Sequence, residues 1–71
     1  MYPKLSRFLV TAERNVVESC KITEAQRALV DKLNREGNDA TIAIELLRAA
    51  QATEDMFKAH FDQLKRLTLL H

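Results

Sequence analysis

The sequence is poor in the residues that interrupt helices or cross-link chains. Its 71 residues include one glycine, one proline, one cysteine and no tryptophan. A multi-stranded β protein needs a turn about every 8–12 residues, so this shortage of turn formers excludes that class. A single cysteine excludes an internal disulfide and suits a reducing compartment. No apolar run approaches the roughly 18 residues of a membrane span, and the run at residues 8–10 is too short for the apolar part of a secretory signal.

The composition is nevertheless that of a chain that folds. Hydrophobic residues make up 46% of the sequence and charged residues 30%, and the net charge is +1. A disordered segment would have fewer apolar residues or a larger charge imbalance. Together with the shortages above, this composition predicts a single small, soluble, cytoplasmic α-helical domain that spans residues 1–71.

The interior of the chain has one helix-breaking signal, the segment 36–39. Gly37 can adopt the left-handed conformation that ends a helix. Asp39 can cap a following helix by accepting hydrogen bonds from the free amides near Thr41. We therefore predict helix 1 over about 3–36, a turn over 37–39 and helix 2 over about 40–69. A loop this short makes the helices antiparallel, so the predicted fold is an all-α helical hairpin.

Both predicted helices carry apolar residues at heptad spacing, which is typical of helices that pack along their whole length. In helix 1 the two seam positions are Leu9, Val16, Thr23 and Val30, and Leu5, Ala12, Ser19, Gln26 and Leu33, with Phe8, Ile22 and Leu29 on one flank. In helix 2 the predicted seam comprises Ile42, Leu46, Ala49, Thr53, Met56, His60, Gln63, Leu67 and Leu70, with Ala50, Phe57 and Leu64 on its flank.

The short turn also predicts which residues face each other. With the turn near Asn38, facing residues should have numbers that sum to about 76. Cys20 then faces Met56 and Phe57. A cysteine nucleophile needs an adjacent base, so we interpret Cys20 as a small packed residue.

The apolar stripes are wider than one partner helix can cover, which predicts self-association. A chain below roughly 70–80 residues gains only about 3–5 kcal/mol from its own core, and exposed apolar patches usually mark interfaces. A two-fold homodimer, giving a four-helix bundle, is the simplest closure. The predicted dimer or partner interface consists of Leu9, Val16, Ile22, Leu29, Leu47, Phe57, Phe61, Leu64 and Leu67.

Polar residues interrupt the middle of the seam, at Ser19, Thr23 and Gln26 on helix 1 and at Thr53 on helix 2. In one interpretation the hydroxyls bond back to helical carbonyls and Gln26 reaches solvent at the edge of the seam. In the other, Gln26 fixes the register or the oligomeric state across the dimer, as a lone polar residue in a seam can.

The remaining polar residues predict no chemistry. His60 is interpreted as a packed histidine, and His71 lies too far along the same helix to share a metal with it. We expect no catalytic residue, no cofactor and no metal. The charged residues form acid-first pairs at helical spacing, which we interpret as the solvated surface. These pairs are Glu18–Lys21, Glu24–Arg27, Asp31–Arg35, Glu45–Arg48, Glu54–Lys58 and Asp62–Arg66.

Two functions follow from these patterns. The first is a non-catalytic protein–protein interaction or scaffold module that acts as a homodimeric helical bundle. The alternative is a small regulator associated with nucleic acid through a basic patch at one end of the hairpin, formed by Lys4, Arg7, Lys65 and Arg66. The net charge of only +1 and the lack of aromatic residues among these bases favour a protein partner.

Part of the chain resembles a known group of sequences. The resemblance rests on Ala12-Glu13-Arg14, Val16, Glu18, Ile22, Gln26-Arg27, Val30, Leu33, the break Gly37-x-Asp39, and Leu46-Leu47. In these positions the chain is similar to a group of short uncharacterised helical proteins from proteobacteria. The resemblance covers residues 12–47 and implies a helical hairpin in a bacterial cytoplasm, but no activity.

Overall fold

The chain forms two long helices that pack against each other as a hairpin. The computed structural model describes the backbone of residues 3–69 and the side chains of residues 6–69. Helix α1 spans Pro3–Arg35 and helix α2 spans Thr41–Leu69, so the predicted all-α hairpin is confirmed. Helix α1 ends one residue earlier, and α2 begins one residue later, than the sequence predicts. The molecule is a rod with extents of 54 × 13 × 13 Å.

Helix α1 ends in a Schellman motif built on the only glycine. Gly37 has a φ of 72°, the left-handed conformation that the sequence predicts. The amide of Asn38 donates to the carbonyl of Leu33 at 2.8 Å, and the amide of Gly37 donates to the carbonyl of Asn34 at 3.2 Å. These two bonds satisfy carbonyls that the end of a helix leaves free. The turn therefore pairs two carbonyls, those of Leu33 and Asn34, at the point where the chain reverses direction.

The start of α2 is stabilised by the carboxylate of Asp39, as predicted. Its Oδ1 accepts from the backbone amide of Thr41 at 2.9 Å and from the Thr41 hydroxyl at 2.6 Å. The first carbonyl to accept within the helix is that of Ala40, which bonds the amide of Ile44 at 2.8 Å. These hydrogen bonds lower the pKa of Asp39, because they favour the charged form of the carboxylate.

The helices approach each other through small side chains. The most buried described side chains are those of Ala12, Ser19, Thr23, Ala40 and Ala43, each at most 6% exposed. The Ser19 hydroxyl donates to the carbonyl of Val16 at 2.8 Å, and that of Thr23 donates to the carbonyl of Ser19 at 3.0 Å. Small residues whose hydroxyls bond to their own helix allow the backbones to pack closely without leaving a buried donor unpaired.

The predicted seam of α1 is confirmed from Leu9 to Leu33, and the side chain of Leu5 lies outside the described residues. The predicted seam of α2 is wrong by one position. Every described residue of the predicted α2 stripe is exposed, and Leu70 lies outside the described residues. We call this exposed set the outer stripe: Ile42, Leu46, Ala49, Thr53, Met56, His60, Gln63 and Leu67. The residues that pack on α1 follow the same spacing one position later. This buried or half-buried set is the inner stripe: Ala43, Leu47, Ala50, Glu54, Phe57, Phe61 and Leu64.

The aromatic rings of the inner stripe account for the rotation, although that stripe also contains Glu54, whose carboxylate pairs with Lys58. The inner stripe holds Phe57 and Phe61, whose rings bury more apolar area than most other side chains. The outer stripe would instead bury the polar groups of His60 and Gln63, which stay solvated at no cost when α2 turns away. The axial register is nevertheless close to the predicted one, because Cys20 of α1 contacts Glu54 of α2.

Candidate functional site

One side of the hairpin is a shallow apolar groove between the two helices. Its lining consists of Ser19, Ile22, Gln26, Leu46, Ala49, Ala50 and Thr53. Ile22 is 56% exposed and Leu46 is 50% exposed, so both present apolar surface to the outside at the rim of the groove. We call this side of the hairpin the groove face.

The outer stripe of α2 extends the groove face along the rod. Its apolar members include Ile42 near the turn, 73% exposed, and Met56 further along, 71% exposed. Residues at alternating spacings of three and four keep to one side of a helix over many turns. The hairpin therefore leaves a second heptad stripe without a partner, next to the one that packs on α1.

Gln26 contributes a buried polar atom to the groove. Its side-chain Oε1 is buried and accepts no hydrogen bond from any residue that the structure describes. The two hydroxyls that line the groove are already engaged: Ser19 donates to the carbonyl of Val16 at 2.8 Å and Thr53 donates to that of Ala49 at 3.0 Å. The predicted bonding of hydroxyls to helical carbonyls is confirmed for both. The same interpretation expected Gln26 to reach solvent, but its Oε1 is buried.

The opposite side of the hairpin carries a polar cluster that the sequence analysis missed. Cys20 lies two positions from Ile22, which places it about 200° around α1. Its Sγ donates to Oε2 of Glu54 at 3.3 Å. The same oxygen accepts from Nζ of Lys58 at 2.6 Å, and the side chain of Glu54 is only 15% exposed. The sequence placed the pair Glu54–Lys58 on the solvated surface. Lys58 is 52% exposed, but Glu54 is shielded and joins α2 to α1 through Cys20.

The cluster holds its carboxylate charged and its thiol protonated. The hydrogen bond from Lys58, with a smaller contribution from that of Cys20, lowers the pKa of Glu54 from its usual 4.5 to about 2. The hydrogen bond to Glu54, followed by burial, raises the pKa of Cys20. Because the thiolate is the nucleophilic form, this neighbour makes Cys20 less reactive. The sequence placed Met56 and Phe57 beside Cys20 in place of a base, whereas the structure places the carboxylate of Glu54 there. Because the thiol stays protonated, the cluster has the character of a structural contact.

The predicted interface residues fall into two groups. Six of them lie half-buried between α1 and α2 and contribute to the hairpin's own packing: Leu9, Val16, Leu47, Phe57, Phe61 and Leu64. The other three expose apolar surface: Ile22 at 56%, Leu29 at 40% and Leu67 at 44%. The surface left for a partner is therefore formed by these three residues and the outer stripe of α2.

The predicted basic patch is partly engaged with neighbouring side chains. Nζ of Lys65 lies 5.0 Å from the centre of the Phe61 ring, and Arg66 pairs with Asp62 at 2.9 Å. Arg7 is exposed, and the side chain of Lys4 lies outside the described residues. Two of the four bases thus have local partners that a phosphate group would have to displace or share.

Two further observations concern the described part of the chain. His60 is exposed, so its predicted packing is wrong, and no three histidine, cysteine or acidic side chains converge as metal ligands among the described residues. Neither α1 nor α2, over the residues described, has a stretch apolar and long enough to cross a bilayer.

Comparisons with protein-family models, with curated proteins and with solved structures gave no match. The resemblance to short proteobacterial proteins stays a prediction from the sequence.

Proposed function

We propose that this protein is a non-catalytic protein–protein interaction module of the cytoplasm that acts as a homodimeric four-helix bundle. The observation that carries the proposal is the outer stripe of α2, a heptad stripe of exposed residues that runs from Ile42 to Leu67 without a partner in the hairpin. Stripes of this kind are buried in helical bundles and coiled coils.

The exposed area of the chain supports the same proposal. The hairpin exposes 5694 Å², whereas a compact monomer of 8.1 kDa is expected to expose about 4500 Å². The excess is about 1200 Å², and a standard interface buries about 800 Å² on each partner. One interface of ordinary size would bring the chain close to the exposure of a compact protein.

The charge of the chain is compatible with self-association. A net charge of +1 gives two copies little reason to repel each other. The residues that line the groove are uncharged, and the Glu54–Lys58 pair lies on the other side of the hairpin. Dimerisation through the groove face leaves the outer surface of α1, with Val10 and Val17 exposed by 58% and 46%, free for another protein.

Sedimentation equilibrium at micromolar concentration tests the dimer directly. We expect the wild-type chain to have twice its monomer mass of 8.1 kDa. Leu46→Glu places a charge on the groove face and should shift the chain to monomer, because a charge buried without a partner is costly. Val17→Glu makes the same kind of change on the outer surface of α1 and should leave the dimer intact.

A wild-type chain that sediments as a fully helical monomer would overturn the proposal. Equal weakening of the dimer by Leu46→Glu and Val17→Glu would place the interface elsewhere. Far-UV circular dichroism of each variant separates loss of association from loss of the helices.

A further inference from the structure

We infer that the groove face is covered by a second copy of this chain, with the two Gln26 side chains facing each other across the two-fold axis. The inference rests on the proposed dimer and adds which atoms meet at its centre. It starts from Gln26 Oε1, which is buried and has no hydrogen-bond donor among the described residues 3–69.

The donor cannot come from the groove as the hairpin forms it. The side chains of Ile22, Leu46 and Ala49 line the groove and have no polar hydrogen. The hydroxyl protons of Ser19 and Thr53 are already donated to backbone carbonyls. Buried acceptors in folded proteins are nearly always paired. Within the hairpin Oε1 is closed off from solvent, so a donor outside the chain reaches it only when the Gln26 side chain turns outward into the groove that it lines. The missing donor is then expected from whatever covers the groove.

A second copy supplies that donor without any further residue. A glutamine side chain carries both an acceptor oxygen and an amide that donates. Across a two-fold axis the same side chain meets itself, and each residue contacts its own equivalent. Two Gln26 side chains that turn outward into the facing grooves can therefore form a reciprocal pair in which each Nε2 donates to the other Oε1.

The surroundings of Gln26 fit this position. It lies in an apolar groove whose rim residues Ile22 and Leu46 are half exposed, so a second copy would enclose the pair in apolar side chains. A single polar residue in such a seam specifies register and oligomeric state, because other alignments leave it unpaired. An area of about 800 Å² per partner, typical of a stable interface, is within the excess that the hairpin exposes.

The test uses complementary charges at position 26. Gln26→Glu and Gln26→Lys should each weaken self-association by about a hundredfold or more, because like charges would meet at the axis. An equimolar mixture of the two variants should recover a dimer, since each glutamate then meets a lysine. Sedimentation equilibrium of each variant and of the mixture measures both results, with Val17→Glu as a dimeric control.

The outcomes separate this inference from the proposed dimer. If wild type and Val17→Glu are dimers but the mixture stays monomeric, Gln26 does not meet its equivalent and the inference is wrong while the dimer stands. The same conclusion follows if either charged variant dimerises as wild type does. A monomeric wild type would instead overturn the proposed function itself.

A cross-linking measurement covers the case in which the charged variants lose their helices. In a Cys20→Ser background, Gln26→Cys should be converted to covalent dimer by a short bifunctional maleimide, and Val17→Cys should not. Failure of Gln26→Cys to cross-link, with its helical content and dimer mass unchanged, would overturn the inference.

Discussion

Replacing Gly37 by the two mirror-image alanines tests how the hairpin turn is held. The residue has a φ of 72°, and a Cβ added there would meet no atom within 4 Å. The effect of a substitution is therefore confined to the backbone. An L-residue in the left-handed region is strained by roughly 1–2 kcal/mol, whereas a D-residue has this region as its own favoured one. The chain is short enough to be assembled by ligation of synthetic peptides.

The two variants should shift stability in opposite directions. L-alanine at position 37 also restricts the unfolded chain, which stabilises the folded state by about 0.4–1 kcal/mol. The net loss in the free energy of unfolding should therefore be about 1 kcal/mol. D-alanine keeps that gain without the strain and should stabilise by about 0.4–1 kcal/mol. For a domain of this size 1 kcal/mol corresponds to about 4–8 °C in Tm.

Thermal melting followed by circular dichroism measures these shifts. All variants must be compared at one chain concentration, because Tm of a dimer depends on it. Asn38→Ala is the matched control: the only positive φ among the described residues is that of Gly37, so an alanine at position 38 meets no such strain. If D-alanine at position 37 lowered Tm as much as L-alanine does, the left-handed conformation would not be what stabilises the turn.

Two other predictions follow from the contacts between the helices. The pKa of Glu54 is about 2 in the folded chain against a usual 4.5, so its contribution to stability is present above about pH 4.5 and is lost as the pH falls toward 2. In urea unfolding, the difference in stability between wild type and Glu54→Gln should therefore shrink over that range. A difference independent of pH would contradict this role of Glu54. Phe61→Ala should lower the free energy of unfolding by at least about 2 kcal/mol, because the ring lies half-buried on the inner stripe. Met56→Ala, made in the monomeric Leu46→Glu background, should lower it by less than about 1 kcal/mol, because Met56 is 71% exposed. The reverse order would mean that α2 packs through its outer stripe.

The turn and the helix ends could be predicted because their causes are local. Gly37 is the only residue in the chain free to adopt a positive φ without strain. Asp39 lies two residues before Thr41, whose free amide it caps. Each of these effects depends on residues within a few positions of one another, so a single sequence contains all the information that they need.

The cluster around Glu54 could not be predicted in the same way. Spacing alone pairs Glu54 with Lys58 on one helix, and such pairs are usually solvated. The side chain of Glu54 is only 15% exposed, and it contacts Cys20, which is 34 positions away in the sequence. One feature of the sequence could have predicted which side of α2 packs on α1. A seam that buries both His60 and Gln63 is less favourable than one that buries Phe57 and Phe61.

By itself the sequence determined two amphipathic helices, the place where they part, the seam of α1 and the approximate axial register. These features follow from periodicity and from the chemistry of individual residues. Only the tertiary structure decided which side of α2 packs on α1, because two heptad stripes lie one residue, or about 100°, apart on that helix. Both stripes are apolar enough to pack, and the partial burial of the phenylalanine rings in the hairpin selects one of them. That choice leaves the other stripe exposed beside Gln26, and it thereby fixes the surface that the hairpin offers to a partner.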